Sequence, residues 1–98
     1  MTDVTEAGHP GETHLLDVEF LDLNTNETAR FALPGDLELQ RAWQMAYDEL
    51  GEARRESDIL ESRSGRSLAG DLGETVRHIQ EHVVRDLKFQ IHGEKGGA

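Results

Sequence analysis

Asp86-Leu87-Lys88-Phe89-Gln90-Ile91-His92, followed by Gly93-Glu94-Lys95-Gly96-Gly97-Ala98, decides how the rest of the chain is read. The first seven residues alternate polar and apolar, the period-two pattern of a strand with one face buried. A glycine pair costs backbone entropy wherever it must be held in place. It belongs where the narrow groove of another protein threads the backbone. Residues 93–98 are therefore expected to form a flexible tail that is handed to an enzyme, with Ala98 a cap to be clipped off after Gly97.

Upstream of that strand, Val76, Ile79 and Val83 have helix-compatible spacing and predict a short helix within 74–84. Ala69-Gly70-Asp71-Leu72-Gly73 is a loop. Asp58-Ile59-Leu60-Glu61-Ser62 reads as a short strand, Ser64-Gly65 as a turn, and Arg66-Ser67-Leu68 as a second short strand returning from it. Residues 52–57 are a charged connector. Before them, Leu39, Ala42, Trp43, Ala46 and Leu50 form one apolar stripe on a helix of about 14 residues. Asp36 is the expected N-cap, Glu38 a complement to the first-turn dipole, and Gly51 the C-cap. Residues 15–23 read as a strand with Leu16, Val18 and Phe20 on one face. Asn24-Thr25-Asn26-Glu27 is turn chemistry, and Ala29, Phe31 and Leu33 alternate on the return strand. Residues 1–13 lack periodicity and are expected to be a flexible N-terminal arm, leaving 14–92 as the folded domain. The order predicts an α+β fold, a mixed four- to five-stranded sheet packed on one main helix. The right-handed crossover rule permits its last strand to lie parallel to its first.

Ninety-eight residues, 36% of them hydrophobic, suffice for one domain with one modest core. The absence of cysteine excludes disulfides, thiolate zinc sites and cysteine nucleophiles. A formal charge of −10 argues against nucleic acid as a partner, because phosphate binding needs clustered Lys and Arg. No apolar run approaches the roughly 20 residues of a membrane span, and no signal peptide opens the sequence, so a cytoplasmic protein is expected.

Element order plus Gly96-Gly97 resembles the ubiquitin-like β-grasp proteins across residues 15–97. The echoes are Leu33-Pro34-Gly35-Asp36 at the helix entry, Asp58-Ile59-Leu60-Glu61-Ser62 before a glycine turn, and Ser67-Leu68-Ala69-Gly70 beyond it. A residue after the glycine pair looks most like modifiers made as precursors, including those of bacterial conjugation operons. That resemblance implies partners: a JAMM-type processing protease that removes Ala98, an activating enzyme that adenylates Gly97, a conjugating enzyme that carries it as a thioester, and target proteins that receive it on an amine. The modifier itself catalyses nothing and needs no cofactor. Two positions depart from ubiquitin. The matching outer sheet face would offer Leu60 beside Lys88 and Gln90, which is more polar and argues against ordinary ubiquitin readers. The segment ending in Lys95 is acidic-basic rather than arginine-rich, which implies a dedicated activating enzyme. With Lys88 and Lys95 the only lysines, chains linked through many sites are not expected. The rivals are a sulfur carrier bearing a Gly97 thiocarboxylate and a non-covalent β-grasp interaction module.

Other motifs weigh less. His78-Ile79-Gln80-Glu81-His82 satisfies the H-x-x-E-H pattern of a zinc protease, but a catalytic site also needs a third ligand and an open position. Two surface histidines flanking a core Ile79 are expected instead. Gly65, Gly70 and Gly73 lack the Lys-Ser/Thr of a phosphate loop and are read as turn residues. Trp43 and Tyr47, one helical turn apart, are expected in the core. Ser62-Arg63-Ser64 has no triad partners, and Asp48-Glu49 is read as a solvated face.

Overall fold

The computed structural model describes residues 14–93; the expected arm over 1–13 and the expected site residues Lys95, Gly96, Gly97 and Ala98 lie outside them. The elements are β1 (Leu15–Asp22), β2 (Glu27–Pro34), α1 (Leu39–Leu50), β3 (Ile59–Ser62), a 3-10 turn (Ala69–Asp71), α2 (Val76–His82) and β4 (Lys88–His92). They build a four-stranded sheet in the order β2-β1-β4-β3, with β1 antiparallel to β2, parallel to β4, and β4 antiparallel to β3. This is the expected mixed sheet, and its last strand lies beside its first.

Alternation along each strand sends one set of side chains under the helices. Val18, Phe20, Ala29, Leu33, Phe89 and Ile91 are buried there, with the Phe20 and Phe89 rings stacked 5.3 Å apart and Phe31 edge-on to Phe20 at 6.3 Å. From α1, Leu39, Ala42, Trp43, Ala46 and Tyr47 close the core, as their spacing predicts; Leu50 is half-buried. Asn26 (φ 65°) turns the hairpin, and Gly51 (φ 72°) ends α1 in the left-handed conformation that glycine adopts without steric penalty.

Several expectations are corrected. α1 has 12 residues and its N-cap is Glu38, not Asp36, with no side chain capping it. Its first amides are satisfied from a distance: Leu39 N donates to the Glu74 carbonyl (2.8 Å) and Gln40 N to that of Leu72 (3.0 Å). The opening of α2 reciprocates, Val76 N donating to Leu37 O (2.8 Å) and Arg77 N to Gly35 O (2.9 Å). The two helix starts thus dock on each other's approach loops. Return strand 66–68 shrinks to a single bridge between Glu61 and Ser67, because Leu68 turns into the core and the chain enters the 3-10 turn. β4 begins at Lys88 rather than Asp86, since Leu87 takes a left-handed φ of 54° to bury its side chain.

Candidate functional site

Register places Glu19, Lys88 and Arg30 in one row on the outer face of the sheet, and Leu21, Gln90 and Glu61 in the next. Leu60 is not among them. It pairs with Ile91, points into the core and is 3% exposed, which removes it from the expected reader surface. The cause is strand parity: Ile59 and Leu60 are both apolar, and only the partner strand decides which faces inward. Lys88 and Gln90 do face outward, as expected.

This face is stitched by polar bonds. The Glu19 carboxylate accepts from Arg30 Nε (3.0 Å) and from Arg63 Nη2, while Arg63 Nε reaches the Phe89 carbonyl at 3.0 Å. Chiefly the Arg30 bond, seconded by Arg63, holds the Glu19 carboxyl below its ordinary range. Gln90 Nε2 donates to Glu61 (3.0 Å), and His92 Nε2 stands 3.1 Å from the other Glu61 oxygen. The Gln90 bond and then His92 depress the Glu61 carboxyl likewise.

At the end where β4 finishes, the surface changes. Ile59 is opposite His92, and Leu23 donates its amide to Ile91 O at 2.8 Å, so two exposed aliphatics flank the root of the tail. Gly93 is buried there. A Cβ on it would lie 3.0 Å from Asp58 Oδ1 and 3.5 Å from Asn24 Nδ2, so the chain leaves through a gap that admits only glycine without displacement. Asp58 cannot easily yield, since its Oδ2 accepts from the Tyr47 hydroxyl (2.7 Å) and the Arg55 amide (3.1 Å). Burial first, and Asp58 second, push the Tyr47 phenol well above its usual range. Beside this root sits Asp22, 1% exposed, accepting from Asn24 N at 2.8 Å and facing Glu52, whose carboxyl it raises by direct hydrogen bonding. Sequence reading missed Gly93, Asp58, Leu23 and Ile59 at this exit; a glycine directly after the final strand was the available signal.

The remaining motifs resolve as ordinary structure. His78 and His82 stack on the exposed side of α2 at 4.6 Å, and among the described residues no group of three or more His, Cys, Asp or Glu could hold a metal ion. Trp43 and Tyr47 are core residues, with Arg54 lying 3.9 Å over the Trp43 ring. Ser62 Oγ bonds Ser64 Oγ and the Arg66 amide, a turn role. Among the described residues no helix is long and apolar enough to cross a membrane.

No protein-family model and no curated protein matches the chain. Its fold is similar to that of the UBL domain of yeast Ddi1, at TM-score 0.67 and 14% identity over 89% of this chain and 98% of that one. A structure from work on molecular mimicry of SUMO that promotes DNA repair aligns at TM-score 0.59 and 20% identity, covering 87% and 96%. The C-terminal ubiquitin-like domain of mouse tubulin-specific chaperone e aligns at 0.55 and 19%, covering 89% and 95%. The protein has the ubiquitin-like β-grasp fold.

Proposed function

We propose that the protein is a ubiquitin-like modifier that is processed after Gly97 and attached to target amines. The observation that carries this reading is the exit of the chain: β4, hydrogen-bonded on both sides, ends at His92, Gly93 is buried directly after it, and Glu94-Lys95-Gly96-Gly97 follows in sequence. A protease of the JAMM type hydrolyses the peptide bond after Gly97, so that Ala98 leaves. The freed carboxylate attacks the α-phosphate of ATP in an activating-like enzyme, and pyrophosphate departs. An enzyme thiolate displaces AMP to give a thioester, and a target lysine amine displaces the thiolate in a conjugating-like enzyme. Glycines without Cβ atoms leave the reacting carbonyl open on both sides.

The test is a version tagged at its N-terminus and expressed in its native cells, resolved by denaturing electrophoresis and mass spectrometry. Trypsin cuts after Lys95, so conjugates should carry a Gly-Gly remnant on target lysines. Gly97→Ala should fold normally and lose all adducts; adducts that persist in that variant overturn the assignment. A mass gain of one sulfur at Gly97 would instead mark a sulfur carrier. A non-covalent module is the second reading. It is favoured by the fact that two of the similar structures are described as domains of larger proteins; a chain that never changes mass would support it.

A further inference from the structure

Acidic residues outnumber Lys and Arg by 20 to 10 in this chain, yet among the described residues Arg41 and Lys88 stand singly without a side-chain hydrogen-bond or ion-pair partner, and so do the guanidiniums of Arg66 and Arg85, which line one groove. Arg66 and Arg85 are brought together from the two sides of the 3-10 turn and α2 at the end of the sheet opposite Gly93. After β3, Gly65 (φ 99°) reverses the backbone, Ser62 N donates to Arg66 O (2.8 Å), and Arg66 N donates to Ser62 Oγ (3.1 Å). That double tie sets Arg66 beside the strand end. Arg85 arrives from the other side, just past α2, whose end is closed by Val84 N donating to Ile79 O at 2.8 Å. Between them lies a groove of 360 Å³ with Arg63, Ser64 and Arg66 on one wall and Val83, Val84 and Arg85 on the other. Arg63 is committed to Glu19 and the Phe89 carbonyl. The acidic liner, Asp86, turns its Oδ1 to the Lys88 amide at 3.1 Å.

We infer that this groove docks an acidic peptide segment of a partner protein, with carboxylates on Arg66 and Arg85 and an aliphatic side chain on Val83 and Val84. Guanidinium forks suit carboxylate oxygens, and the valines supply the apolar floor that a bare anion would not use. A nucleic acid carries the same sign of charge but far more of it, and the −10 of the whole chain repels a long polyanion more than a short segment. The surface lies at the opposite end of the sheet from Gly93, the last residue before the tail, and serves whether or not the tail is conjugated.

The probe is a synthetic hexapeptide alternating glutamate and valine, titrated into 15N-labelled full-length protein. Shifts should concentrate at Ser64, Arg66, Val84 and Arg85 and weaken as salt is raised. The matching glutamine-valine peptide should bind at least tenfold more weakly, as should R66Q/R85Q toward the original peptide; R41Q, an exposed arginine on α1, should bind normally. Both variants alter exposed side chains, and amide spectra report whether they fold. The idea is overturned by absence of shifts up to about 1 mM peptide, by shifts centred elsewhere, or by inorganic phosphate perturbing the same residues as strongly. Binding that emerges only after deletion of residues 1–13, which carry Asp3, Glu6 and Glu12, overturns it as well, because the occupant would then be the chain's own arm.

Discussion

Asp22 occupies the inward-facing row of β1 behind Val18 and Phe20, where a hydrophobe would be expected, and it is almost wholly buried. Its carboxylate is answered by the Asn24 amide and by Glu52, and the second contact brings two acids together. Glu52 is consequently raised above its ordinary 4.5. The folded chain then holds a proton more tightly than the unfolded chain does. Ionised Glu52 costs stability at neutral pH, and that loss is recovered as pH falls through its folded value. Glu52→Gln should therefore raise the thermal midpoint at pH 7, because the amide keeps a donor toward Asp22 without the charge. At about pH 3, well below the unfolded value and so with the carboxyl protonated in both states, the gain should vanish. Thermal unfolding at the two pH values decides it; a variant no more stable than wild type at pH 7 removes the pair from the account. Glu19 and Glu61 work in the opposite sense. Both are depressed, so their contribution is present above 4.5 and is lost as pH falls through their folded values.

The helix starts show how an element can be legible in type but not in detail. The Leu39, Ala42, Trp43, Ala46 stripe announced α1, and Gly51 announced its end. Its beginning is not legible there: Asp36 has the right chemistry for a cap, but the approach loop of α2 supplies the acceptors instead. α2 has a true side-chain cap: Thr75 Oγ1 accepts from His78 N at 3.1 Å. The two cap candidates therefore separate by mutation. Thr75→Ala should cost about 1 kcal/mol, in the range of lost N-caps, and Asp36→Ala less than about 0.5 kcal/mol. Urea denaturation of both variants measures the contrast, and equal losses would mean that Asp36 caps after all.

Over the whole molecule, the sheet and α1 share one core in which Phe20 is central, 0% exposed and in contact with both Phe31 and Phe89. Phe20→Ala should remove about 3–5 kcal/mol, a large part of the roughly 5–15 kcal/mol available to such a domain. Cooperative unfolding in urea should move to much lower midpoint or disappear; a shift of under 1 kcal/mol would contradict the packing described. Charge is also distributed by the fold. Asp22, Glu52 and Asp58, with Arg55 among them, gather near Gly93, and Arg63, Arg66 and Arg85, with Asp86 among them, at the far end, so acid predominates at one end of the sheet and base at the other.

The identity and order of β1, β2, α1, β3, α2 and β4 were present in the linear pattern, because alternation and 3.6-residue spacing are properties of neighbours; the parallel closure of β4 on β1 was only permitted by the crossover rule, and the tertiary structure decided it. The facing of Leu60, the loop that satisfies α1, the gap that receives Gly93, the carboxyl pair of Asp22 with Glu52 and the meeting of Arg66 with Arg85 were not in that pattern. Each joins residues separated by a turn, a helix or most of the chain, and no local period encodes which of two adjacent apolar residues a partner strand will turn inward.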